Sequence, residues 1–265
     1  MAVDVPDWSR PWLSFLRERG ESLARSTDWI GTASDLAVQS GVLNLNAQPI
    51  RFVPQQLLPA DTPYEAHIAA TGNVPTRDNL HDFFNALAWL HMPATKRELN
   101  ALHAQAATAP PVTTGTRGGL RDAATLFDEN AALFVCSDPA LLHALREHDW
   151  KTVLARPADE FFTTADVVLF GHALVEKLCM PYKSITAHVW TVLVEPTWFA
   201  LSTTERVADL DERVSASLHY GLRSADFCHL PVLGVPGWWT GQDLAFYEDA
   251  EVFRPKRLRK PSISH

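Results

Sequence analysis

The sequence predicts an α+β fold: a helix-rich single domain with a small antiparallel sheet. Three observations lead there. Long stretches carry apolar residues at helical spacing. Short apolar runs, IRFV (50–53), LFVC (133–136) and VVLF (167–170), are bounded by turn-forming residues and read as strands. Strands and helices do not alternate regularly enough for a doubly wound sheet, and no internal repeat exists.

Residues 9–40 read as two helices that extend a core of about 50–257. The first begins at Pro11, carries Trp12, Phe15 and Leu16, and is expected to stop at Gly20. The second carries Trp29, Ile30, Ala33, Leu36 and Ala37 and ends near Gly41. QQLLPADTP is a loop, and Tyr64–Thr71 is helical, capped by Gly72. A central helix pair follows, from about Asp78 to His91 and onward from Pro93. APPVTTGTRGG reads as a loop or lid. LRDAATLFDENAALFVC reads as a hairpin, with Thr125–Phe127 and Leu133–Cys136 flanking a turn at Asp128–Ala131. A helix runs from Pro139 to about His148, and Gly171 turns the 167–170 strand into the helix HALVEKLC. Ser184–Val194 is a further strand and 204–220 an amphipathic helix. The tail is expected to wrap the body irregularly, pinned by Trp238, Trp239, Phe246, Tyr247 and Phe253, with disorder from about Lys256.

With 265 residues, 46% of them apolar, the chain can bury a sizeable core. A net charge of −8 and a pI near 5.7 argue against general nucleic-acid binding. A nucleic-acid groove would need Arg77, Lys96, Arg117 and Arg121 on one face. Cys136, Cys179 and Cys228 form no CxxC or CxxH pair, so neither a cysteine zinc site nor a disulfide is expected. No apolar run follows the N-terminal charges and none is long enough to span a membrane, which predicts a cytoplasmic protein.

The polar residues of the central pair stand out. Around the first helix Asp78, His81, Asp82, Asn85 and Trp89 share one stripe, opposite Leu80, Phe83, Phe84, Leu87 and Leu90. The helix dipole and capping account for Asp78 and partly for Asp82. They do not account for an imidazole and a carboxamide beside them. On the second helix Lys96, Asn100 and His103 recur at i, i+4 and i+7. Two more groups follow. RGGLRDAATLFDEN offers Arg117 and Arg121 for an anion and Asp128 and Glu129 for a metal or a general base. In FGHALVEK, His172 and Glu176 stand one helical turn apart, a usable metal-ligand spacing. GxSxG, P-loop and GxGxxG motifs are absent.

The run YEAHIAATGNVPTRDNLHDFFNALAWLHMPATKRELNALHAQ, with RGGLRDAATLFDEN, FGHALVEKL, LPVLGVPGWW and VFRPKR after it, resembles a bacterial family catalogued only as a domain of unknown function. The likeness spans about Ile50 to Arg257 and implies an intact domain, without an activity or a catalytic residue to carry over.

The residues therefore point to a hydrolase acting by metal-assisted or acid–base chemistry on a small anionic substrate, phosphorylated ones included. The expected catalytic groups are His81, Asp82, His103 and Glu129. Asn85, Lys96, Asn100, Arg117 and Arg121 would bind substrate, and His81, Asp82, Asp128, His172 and Glu176 are the groups suited to a divalent metal. No other cofactor and no protein partner is specified. The alternative is a non-catalytic binding or interaction protein in which the polar stripe is a structural hydrogen-bond network.

Overall fold

The computed structural model describes residues 6–108 and 116–256, except the side chains of 107, 108 and 116–118. Helices α1 (Arg17–Ala24) and α2 (Trp29–Gln39) lead to β1 (Arg51–Pro54), α3 (Tyr64–Thr71) and β2 (Asn73–Thr76). The central helices are α4 (Leu80–His91) and α5 (Pro93–Thr108). Helix α6 (Thr116–Asn130) passes straight into β3 (Ala131–Cys136). Three short helices, α7 (Pro139–Arg146), α8 (Trp150–Leu154) and α9 (Ala158–Thr164), reach β4 (Ala165–Leu169). Then come α10 (His172–Lys177), β5 (Thr186–Leu193), α11 (Thr203–Ser217), β6 (Cys228–Pro231) and α12 (Leu244–Tyr247). No helix among the described residues is long and apolar enough to cross a membrane.

The fold is α+β and helix-rich, as expected. Its four-stranded sheet, in the order β4-β3-β5-β6, is mixed rather than antiparallel throughout. Strands β4 and β6 run antiparallel to their neighbours, while β3 and β5 are parallel. A parallel pair needs a long crossover, and the segment from α7 to α10 supplies it. The small β1–β2 sheet is also parallel, with α3 as part of its crossover.

Strand β3 is buried along its whole length. Ala132, Phe134 and Cys136 face a core shared with the N-terminal helices, whereas Ala131, Leu133 and Val135 face a second core under α5, α6 and α11. That two-sided burial explains an unbroken apolar run where a one-sided strand would alternate.

The expected hairpin at 125–136 does not form. Leu120, Ala123, Ala124 and Phe127 recur at helical spacing and are all buried, so the segment is a helix. The expected loop at 109–119 is helical from Thr116; residues 109–115 lie outside the described residues. Gly20 does not end the first helix. It sits inside α1 because the Trp8 ring packs on it, and a β-carbon there would lie 2.2 Å from that ring. At the start of α4 the cap is Asn79, whose Oδ1 accepts from the Asp82 N–H at 2.8 Å, while Asp78 accepts from Trp29 Nε1 at 2.7 Å. Asp211 receives the N–H groups of Ala94 (2.9 Å) and Thr95 (2.7 Å) at the start of α5. In the tail, Trp238, Phe246, Tyr247 and Phe253 are buried as expected. Lys256 pairs with Glu147, and the residues beyond it lie outside the described ones.

His91 closes α4, with its Nδ1 2.9 Å from the Leu87 carbonyl. Burial, aided by the Arg19 guanidinium, lowers its pKa from 6.5 to about 4. Between those two values the unfolded chain takes up a proton that the folded chain refuses. Stability should therefore fall as pH drops through that window, by up to about 3 kcal/mol from this one group. Urea unfolding of His91→Leu between pH 7 and 4.5 should show a flatter profile than the parent; identical slopes would rule the contribution out.

Candidate functional site

Two chain junctions build the site. Because β3 and β4 pair antiparallel, with Ala132 opposite Leu169, the end of α6 lies beside the start of α10. The N–H groups of Phe170 and Gly171 both reach the Ala131 carbonyl, at 3.1 and 2.8 Å. This approach leaves no room for a side chain at 171. A β-carbon there would lie 2.5 Å from the backbone nitrogens of Asn130 and Ala131 and 2.6 Å from the Glu129 carbonyl carbon. Glycine thus sets Asp128 and Glu129 against His172, and α4, packed on α10, adds His81.

The imidazoles of His81 and His172 meet nearly edge to face, their Nε2 atoms 3.1 Å apart. Glu176 Oε2 accepts from His81 Nδ1 at 2.9 Å. Glu129 Oε2 lies 3.7 Å from His172 Nε2, and Asp128 Oδ2 lies 3.9 Å from His172 Nδ1. One donor atom each from His81, Glu129 and His172 falls within a 4.8 Å group. Two donors about 2.1 Å from a shared ion stand about 3.0–3.4 Å apart, for right-angle to tetrahedral geometry. The 3.1 Å Nε2 separation fits that edge, and the 3.7 Å contact is slightly longer.

The tautomers sharpen the point. A carboxylate can only accept, so His81 Nδ1 carries a proton, and when that is the ring's single proton Nε2 turns a lone pair toward His172. If His172 answers with an Nε2–H, its buried Nδ1 becomes a bare lone pair, unbonded and facing the Asp128 carboxylate. If Nδ1 keeps the proton instead, two lone pairs confront each other at 3.1 Å. A cation between them removes the conflict.

Beneath this group runs a closed chain. Lys96 Nζ donates to Asp128 Oδ1 at 2.5 Å and to Asn85 Oδ1 at 2.8 Å, over the face of Trp89. Asn85 Nδ2 in turn reaches the Tyr64 hydroxyl at 3.2 Å. Burial alone would raise the Asp128 carboxyl, but the Lys96 ammonium, together with His172 and His103, offsets it and holds the pKa below the ordinary value. Burial lowers His172 to about 4, so the ring is neutral at pH 7. Burial also raises Glu129, against the pull of His81. The Tyr64 hydroxyl is pushed well up, by burial first and by the charges of Glu65, Asp82 and Asp128 after it.

Several expected site residues thus converge: His81, Glu129, His172 and Glu176 at the centre, with Asp128, Lys96 and Asn85 below. His103 lies near enough to Asp128 to help hold it ionised, outside the central group. Asp82 goes elsewhere. Its carboxylate takes the Arg77 guanidinium (3.1 and 3.0 Å) and the Arg77 N–H (2.6 Å), which fixes the start of α4. Asn100 ties α5 to α3 through the Glu65 carbonyl (2.9 Å) and carboxylate (2.6 Å). Arg121 is exposed on α6, two turns before Asp128, and the Arg117 side chain lies outside the described ones. Sequence spacing gives no signal for Tyr64 or for the closeness of Gly171 to α6.

The profile of DUF3025, described as a protein of unknown function, matches residues 50–257. The chain belongs to the DUF3025 family. No curated protein and no solved structure matches it. All the converging residues lie inside the DUF3025 match, whereas α1 and α2 precede it.

Exposure separates the two halves of the site. The side chains of His81, Glu129 and Glu176 are 31%, 40% and 40% exposed, against 5% for both His172 and Lys96. The upper group is open to a ligand; in the lower chain Lys96 is buried and bonded to both Asp128 and Asn85. Lys96 is therefore spent on Asp128 and Asn85 instead of standing free for a substrate anion.

Lys96→Met should cost about 3–5 kcal/mol in denaturant unfolding, because it strands a buried carboxylate. Adding Asp128→Leu should recover part of that loss; a double variant no more stable than Lys96→Met would show that the pair is not the cause. Gly171→Ala should lower stability by about 1–3 kcal/mol, the usual cost of overpacking, and should disturb the His81 and His172 ring resonances. Unchanged resonances would mean that the junction does not set the site.

Proposed function

We propose that this DUF3025 chain is a metal-dependent hydrolase whose centre is formed by His81, Glu129 and His172. The observation that carries the reading is the meeting of two Nε2 atoms at 3.1 Å, both rings having a carboxylate at Nδ1. Metal-bound histidines commonly present their other nitrogen to a carboxylate in this way. A neutral His172 is already in the ligating form, and Glu129 supplies a carboxylate oxygen or, uncoordinated, a general base. A divalent ion held here would activate water for hydrolysis and polarise a substrate oxygen. Glu176 keeps the His81 ring turned inward, and Asp128, itself anchored by Lys96, places a negative charge 3.9 Å from His172 Nδ1. The substrate class we assign is a small anionic molecule, phosphorylated ones included, since a dication with open positions favours oxyanions. With three unpaired cysteines and no membrane-spanning helix among the described residues, we assign the protein to the cytoplasm.

The non-catalytic reading draws on the closed Tyr64–Asn85–Lys96–Asp128 chain, which serves the fold. It does not require the open His81, Glu129 and Glu176.

Metal-stripped protein should gain several degrees in melting temperature on addition of zinc or cobalt(II). Cobalt(II) should also give visible absorption bands. His81→Ala should melt close to the stripped parent yet lose both responses. If neither ion shifts the parent, the metal reading is lost; if His81→Ala is strongly destabilised without metal, the binding-protein alternative is the better account.

A further inference from the structure

A second concave site lies at the outer edge of the four-stranded sheet, where β6, the α7–α8 corner and the segment before Lys256 meet. It encloses about 650 Å3, and its wall includes His148, Trp150, Ser184, Thr186, His229 and Arg254. That volume suits a small molecule.

One residue of the wall is held against its backbone preference. His148 has φ 57°, in the left-handed region. Helix α7 ends two residues earlier, and Asp149 N–H bonds back to the Ala144 carbonyl at 2.9 Å, so His148 occupies the closing turn where glycine is usual. Residues kept in such conformations gather at ligand sites. The His148 ring lies over Trp150, with centroids 4.9 Å apart. Its Nδ1 donates to the Arg254 carbonyl at 3.1 Å, which also accepts from Trp150 Nε1 at 2.9 Å. Nδ1 therefore carries the proton, and Nε2 is left without a hydrogen-bond partner among the described residues. His229 stands 6.5 Å from His148 and, across the β5–β6 pair, 5.0 Å from His188. Arg254 uses Nε on the Glu251 carbonyl at 3.0 Å, and no carboxylate among the described residues pairs with its guanidinium.

We propose that this cleft binds a small organic oxyanion, a carboxylate or phosphate carried on a flat apolar body. The Arg254 guanidinium offers a planar fork for the oxyanion. The imidazoles of His148 and His229 and the hydroxyls of Ser184 and Thr186 add shorter-range partners. Trp150, Pro231 and Val252 supply apolar wall for the body of the ligand. Glu251 in the same wall opposes anions in proportion to their charge, so it disfavours polyanions such as nucleic acid more than a small singly or doubly charged ligand. The site is independent of the His81–Glu129–His172 centre and of its metal.

Phenyl phosphate titrated into the full chain, followed through the histidine ring protons, tests this. The His148 and His229 resonances should move saturably, whether or not those of His81 and His172 also respond. Benzoate, as a second arm, should move the same two rings, and inorganic phosphate should bind at least tenfold more weakly than phenyl phosphate. Arg254→Ala, which keeps the anchoring carbonyl, should weaken phenyl phosphate at least tenfold. His148→Gly should melt close to the parent, since glycine suits the turn and Trp150 still holds the Arg254 carbonyl, yet lose binding by a similar factor. The proposal is overturned by the absence of saturable shifts, by shifts confined to His81 and His172, or by equal binding of inorganic phosphate. Unimpaired binding in either Arg254→Ala or His148→Gly overturns it as well.

Discussion

The structure depends on the contact of Gly171 with the α6–β3 junction. Antiparallel pairing of β3 with β4 brings the two junctions together, and the missing side chain lets them close to backbone contact. Everything at the site is referred to that contact. Asp128 and Glu129 end one helix, His172 begins another, and neither helix can shift without opening the β3–β4 ladder. A site on the ends of elements locked to a buried sheet is held more rigidly than one carried on loops.

Around that contact the polar residues divide by accessibility, and the division gives each group its work. Lys96 and Asp128 are almost wholly buried, where an unpaired charge would be very unfavourable and a paired, hydrogen-bonded one is tolerated. They fix the floor and hold a negative charge beneath His172. His81, Glu129 and Glu176 stand at the surface end, where solvent and ligands can reach them. The same stripe of α4 serves both purposes: Asn85 reaches down to Lys96, and His81 reaches out to Glu176 and His172. The stripe of one helix is thus divided between the buried network, through Asn85, and the exposed group on which the proposed function rests, through His81.

The His148 cleft follows the same logic on the other side of β3, along the β5–β6 edge. There a helix end is closed by an imidazole in place of glycine, and the segment before Lys256 is anchored by main-chain carbonyl bonds instead of apolar contacts alone. The His148 turn gives up local conformational preference to place an imidazole, whereas the meeting of His81 with His172 rests on the close packing at Gly171.

The sequence by itself determined the helix-rich α+β class, the central helix pair and the polar character of its stripe, because periodicity and capping are local properties of the chain. It also determined His172 and Glu176 as a one-turn pair, since helical spacing alone places them on one face. It did not determine that residues 116–130 are a helix: RDAATLFDEN supports a turn as readily as a helix until Leu120, Ala123, Ala124 and Phe127 are seen to share a buried face. Nor did it separate Asp82 from its neighbours, because the pull of Arg77 on that carboxylate is set by the geometry of the helix start. Only the tertiary structure decided that His81 meets His172 across 91 positions of chain and that Lys96 meets Asp128 across 32. These pairings come from strand register and from the closeness allowed at Gly171, which are properties of non-local packing and leave no spacing in the sequence to read.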